Sequence, residues 1–95
     1  MRVRYTEPAR TDLEDISAYL IERNPGAAAA VGAAIEATIA RIATFPASAQ
    51  ATDEPGVRMA PAGRFPYLIF YSIAGDEVQI VRVLHGAQLR PWEER

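Results

Sequence analysis

The sequence contains no cysteine and no lysine, and it has one histidine. Without cysteine there is neither a disulfide framework nor a thiolate metal site. One histidine is too few for a histidine-rich metal site, so no metal and no cofactor are expected. The ten basic residues are all arginine, and twelve acidic residues outweigh them to give a net charge of −2. Tight binding to a phosphate backbone ordinarily needs an excess of positive charge, so the balance argues against a dedicated nucleic-acid surface. Arginine alone suits planar, bidentate recognition of carboxylate or phosphate. Codon usage in a GC-rich genome is the main reason expected for it. The start, MRVRYTEPAR, has no apolar run of signal-peptide type, and no apolar run is read as long enough to span a bilayer. A cytoplasmic protein away from the membrane is expected. No glycine-rich phosphate loop, internal repeat or linker is found, and none of Ser17, Ser48 and Ser72 sits in a nucleophile-elbow context.

What is there is a globular composition, 49% hydrophobic and 23% charged, in a length that makes one domain over residues 1–95. The strongest local signal is Phe65 to Gly86. Two runs of β-branched and aromatic residues, Tyr67–Ile73 and Val78–Leu84, flank Gly75-Asp76, a two-residue turn signal. This predicts an antiparallel hairpin in which Tyr71 faces Ile80 and Ile69 faces Arg82. Alternation then puts Tyr67, Ile69, Tyr71, Ile73, Val78, Ile80, Arg82 and Leu84 on one face. Both faces are largely apolar, so both are expected to be covered. Helices cover one, and the tyrosine-bearing face is assigned in part to a partner.

Upstream, Val3 and Tyr5 alternate with charged residues, as in a short edge strand. Thr6-Glu7-Pro8 is a helix start, and Ala9, Leu13, Ile16 and Leu20 recur at helical spacing to about Arg23. Asp12, Glu14 and Asp15 are assigned to the solvated side. Asn24-Pro25 restarts a second helix, whose stripe of Val31, Ile35, Ile39, Ile42 and Phe45 ends at Pro46. Residues 47–54 are expected to be a loop, and residues 57–60 a short strand. The fold class is therefore α+β: an N-terminal strand, an antiparallel helical hairpin, then a three-stranded, mostly antiparallel sheet.

Two residues stand out chemically. Arg82 lies mid-strand between Val81 and Val83 and must find a carboxylate or project into a groove. His85 ends that strand, as a structural histidine or as a general acid/base for phosphodiester cleavage. Arg58, Arg64 and Arg90 are candidates to join Arg82 in a basic cluster.

The order of elements, with Ala9, Arg10, Asp12, Leu13 and Ile16 opening the first helix, Phe45-Pro46 closing the second, then Arg58, Arg64, Phe65-Pro66-Tyr67-x-Ile69-x-Tyr71 and Ile80-Val81-Arg82-Val83-Leu84-His85-Gly86, resembles the RelE/ParE superfamily of bacterial toxins. The resemblance covers nearly the whole chain. It implies a type II toxin–antitoxin module, in which a cognate, ParD-like antitoxin encoded beside the toxin wraps it in a hetero-oligomer. Leu13, Ile16, Leu20, Tyr67 and Tyr71 would then hold the antitoxin. The target implied is DNA gyrase for a ParE-like member or the ribosome for a RelE-like, messenger-cleaving one. Gly86, Ala87, Gln88 and Leu89 lack a basic run, and all four tyrosines lie at or before Tyr71, which favours the ParE-like, non-enzymatic reading. Target contacts would be Arg58, Arg64, Arg82, Arg90 and Trp92. If the chain is instead a nuclease, His85, Arg64 and Arg82 are its catalytic candidates. An inactive, antitoxin-binding protein is the third reading.

Overall fold

The computed structural model describes residues 1–87. The chain runs β1 (Arg2–Tyr5), α1 (Glu7–Arg23), α2 (Pro25–Thr44), β2 (Gln50–Ala51), β3 (Val57–Pro61), β4 (Tyr67–Ala74) and β5 (Glu77–His85). The strands form one sheet in the order β1-β5-β4-β3-β2. Among the described residues only β1 and β5 pair in parallel; the other neighbours are antiparallel. The architecture is α+β as expected, with β1 at one edge and the two-residue β2 at the other, inside a segment expected to be loop.

Thr6 joins the first helix to the sheet. Its side-chain oxygen accepts the Ala9 N–H, capping α1, while its hydroxyl donates to the Val81 carbonyl at 2.8 Å. Asn24 serves two helix ends at once. Its N–H donates to the Leu20 carbonyl and its Oδ1 accepts the Ala27 N–H, so a single residue separates α1 from α2. Helix α2 buries Val31, Ile35, Thr38, Ile39 and Ile42. Phe45 does not extend that stripe. It caps the helix through its N–H to the Arg41 carbonyl, and the residue is 62% exposed. At 20 residues, many of them alanine, α2 is also long and apolar enough to cross a bilayer, which corrects the expectation that no such run exists; its branched residues pack into the core.

The β4–β5 hairpin turns at Gly75, whose φ of +62° suits a residue without a Cβ. Pairing follows the expected register from Ala74↔Glu77 to Tyr71↔Ile80 and then shifts by one: Phe70 faces Arg82 and Ile69 faces Val83, not Arg82. A β-bulge at Val81 causes the shift, beside the point where β1 ends and Thr6 takes over the edge of β5. The bulge puts Val83, 1% exposed, into the core where strict alternation would have put Arg82. The buried cluster joins Ala9, Val31, Ile35 and Ile39 to Ile69, Tyr71, Val78 and Ile80. The tyrosine-bearing face is thus the one the helices cover.

Candidate functional site

Between the helices lies an apolar groove of about 310 Å³. Leu13, Ile16 and Leu20 form one wall at helical spacing, each half-buried. Val31, Ile35 and Ile39 form the other, and Tyr5 from β1 also lines it. The groove stays open because the α2 positions between the branched residues are small: Ala28 and Gly32 contribute little or no side chain. Ser17 and Glu36 are its polar members. A second hollow, lined by Tyr5, Arg10, Leu13 and Glu14, continues it along α1. A channel of this shape accepts an amphipathic helix with apolar anchors one turn apart.

Three of the five antitoxin-contact candidates, Leu13, Ile16 and Leu20, therefore come together. Tyr67 and Tyr71 do not join them, because the helices of the same chain cover their face. Tyr71 is fully buried, and its hydroxyl donates to the Pro46 carbonyl at 2.6 Å. Burial raises its pKa, against an opposing pull from Arg58. Tyr67 is 8% exposed, and its ring meets the His85 ring edge-on at 5.6 Å.

Arg82 is satisfied within the chain. Its Nε and a terminal nitrogen donate to the two carboxylate oxygens of Asp12 at 2.7 and 2.8 Å. The same carboxylate accepts the Val83 N–H at 2.9 Å. Beyond Ile80, β5 has no β1 partner, so Asp12 supplies the acceptor that a strand would have given. The hydrogen bonds to Asp12 hold the Arg82 guanidinium even more firmly protonated than usual. Asp12 is thus no part of a solvated face: its side chain is only 10% exposed. A signal for this was present, since Asp12 stands three residues after Ala9 and four before Ile16, on the inward side of the helix.

The remaining candidates do not assemble with Arg82. Arg58 faces Tyr71 across β3 and β4, and it donates to the Ala49 carbonyl at 2.7 Å. With Tyr71 it pins the segment leaving α2. Arg64 lies in the turn before β4, its guanidinium over the Phe65 ring at 4.8 Å. His85 is exposed at that same sheet end, and its Nδ1 accepts the Ala87 N–H at 3.0 Å. In the neutral ring this places the proton on Nε2. Arg90 and Trp92 lie outside the described residues. Among the described residues no cluster of histidine, aspartate and glutamate has the makings of a metal site. Gly32 and Glu36 carry no signal in the sequence because neither belongs to an apolar stripe, and the pattern around Tyr5 indicates an edge strand, not a groove wall.

Comparison with known proteins places this geometry. The family model for the ParE toxin of the type II toxin–antitoxin system parDE matches residues 3–90. The chain belongs to the ParE toxin family. It is 36% identical over 90 residues to the putative toxin Y4kP of Sinorhizobium fredii, covering 95% of this chain and 93% of that protein. It is 29% identical over 83 residues to toxin RelE1 of Caulobacter vibrioides, covering 86% and 89%. Among solved structures it is similar to a chain of the chromosomal ParDE system from P. aeruginosa, with a TM-score of 0.78 at 23% identity, covering 90% of this chain and 95% of that one. At that identity the likeness shows the fold. This ParE-family chain is a type II toxin, and its family implies an antitoxin partner.

Proposed function

We propose that the toxin inhibits DNA gyrase by binding it, and that its antitoxin neutralises it by laying an amphipathic helix in the α1/α2 groove. The observation that carries the non-nuclease reading is the engagement of Arg82 by Asp12. A ribonuclease site needs a cation free to meet charge developing on the phosphate and a base with an open lone pair. Arg82 spends its fork on a carboxylate, and the Nδ1 lone pair of His85 meets the Ala87 N–H. The net charge of −2 also gives little long-range attraction toward ribosomal RNA. The reading implies a cytoplasmic protein that meets gyrase through its exposed surface, with Arg64 as a described contact candidate and Arg90 and Trp92 beyond the described residues.

The test uses purified toxin with gyrase and, in parallel, with translating ribosomes. The expected result is lost supercoiling with accumulated cleavage complexes and intact messenger. Codon-dependent cutting of messenger with gyrase unaffected contradicts it and returns His85 and Arg64 to the catalytic list.

A further inference from the structure

Gly32 lies in the middle of α2, where glycine is the costliest helix residue after proline. Nothing among the described residues requires it. A Cβ built at Gly32 meets no atom within 4 Å, and its φ does not lie in the left-handed region. The position opens into the apolar groove. One turn further along, Glu36 is exposed on the groove wall, with no ion pair or hydrogen bond among the described residues. Apart from Ser17 and Tyr5 the rest of that lining is aliphatic, alanine or glycine, so Glu36 is the charge the groove itself presents to an occupant.

We infer that Gly32 and Glu36 determine which antitoxin this toxin accepts. A bulky apolar side chain of the antitoxin helix seats directly on the α2 backbone at Gly32, and a lysine or arginine about one turn away pairs with Glu36. The inference rests on the reading of the groove as the antitoxin site. The spacing follows from the helix, because residues four apart lie on one face with their Cβ positions about 5–6 Å apart. The missing side chain at Gly32 gives steric selectivity, since any added carbon occupies the space the anchor needs. A cation outside an apolar groove pairs with Glu36, whereas an acidic residue there is repelled, which discriminates against other antitoxins.

The experiment titrates the antitoxin encoded beside the toxin gene into the full-length toxin and its variants, with melting measured on each. Gly32→Ala melts about 4 °C or more higher, because it removes the helix penalty in open space. The same variant binds at least about tenfold more weakly, and Gly32→Leu about a hundredfold more weakly, as expected for overpacking an interface. Glu36→Arg loses about tenfold, and exchanging the facing antitoxin lysine or arginine for glutamate restores it. Leu20→Glu, on the opposite wall, abolishes binding while the protein still melts cooperatively. If Leu20→Glu abolishes binding but Gly32→Leu stays within about twofold of the parent, the role of Gly32 is overturned and the groove remains the antitoxin site. Failure of Glu36→Arg to weaken the complex overturns the charge pairing. If Leu20→Glu also binds normally, the groove is not the antitoxin site, and the wider reading falls with the inference.

Discussion

Asp12 and Leu13 are neighbours on one helix and end in opposite situations. The Asp12 carboxylate is saturated, with two bonds from Arg82 and one from the Val83 N–H. Leu13 is half-buried in a groove that the chain's own side chains do not fill. At the first site α1 is fastened to the bulged end of β5 through one carboxylate, and among the described residues no buried side-chain polar atom lacks a partner. The second leaves apolar surface exposed to water, which costs free energy until a partner covers it. In this small toxin, the saturated cluster holds the fold and the unfilled groove is where binding energy remains available. Arg82, which looked functional, belongs to the first kind, and the plain aliphatic Leu13, Ile16 and Leu20 to the second.

Removing the fastening should have the largest effect. Asp12→Ala strands a guanidinium that is 32% exposed and an edge N–H, so unfolding free energy should fall by about 3 kcal/mol, the low end for a broken buried pair. Denaturant titration reads this directly, and the melting midpoint should drop by roughly 12 °C or more. The groove should respond in the opposite way. Leu13→Glu should weaken antitoxin binding by at least about tenfold while costing less than about 1 kcal/mol in stability, as calorimetry of binding and of melting would separate. Aggregation of the free variant would instead assign Leu13 to the core.

A smaller effect is expected at Tyr71. Tyr71→Phe removes the hydrogen bond to the Pro46 carbonyl and should cost about 1 kcal/mol at neutral pH. Because burial raises this phenol above its ordinary value of 10.0, the folded state favours the protonated form. The sign follows: its contribution is fully present below about pH 10 and is lost as pH climbs through the raised folded value. Tyr71→Phe should therefore flatten the alkaline limb of the stability curve. The smallest effect belongs to His85. His85→Ala should change stability by no more than about 0.5 kcal/mol and leave growth inhibition intact on induction in a bacterial host. Loss of inhibition with an unchanged fold would sharpen the case for chemistry at that residue.

Much of the fold was legible in the sequence for identifiable reasons. Thr6-Glu7-Pro8 and Asn24-Pro25 carry helix starts in their side chains, and Gly75-Asp76 fixes the turn end of the hairpin register. The register failed at Val81, because a bulge depends on where β1 stops on the far side of β5, which no local pattern records. That one residue exchanged Arg82 for Val83 in the core. The tyrosine face is assigned in part to a partner because both faces of the hairpin are apolar and the helices can cover one, yet they cover this one, and Tyr71 finds its acceptor at Pro46, 25 residues away. Leu13, Ile16 and Leu20 were recognisable from spacing as one apolar helix face, and the resemblance to the toxin superfamily implied that an antitoxin covers it. Gly32 and Glu36 were not, because their significance is an unfilled volume, and that exists only once two helices have packed.

Hydrogen exchange on the toxin, alone and saturated with its antitoxin, tests the contrast between the filled and unfilled regions most directly. The expected result is that the antitoxin slows exchange across Leu13–Leu20 and Ala28–Ile39, while the Val83 amide, held by Asp12, is already slow in the free toxin and changes little. Protection that appears at Val83 and the 61–66 turn, with the helical hairpin unchanged, would contradict it.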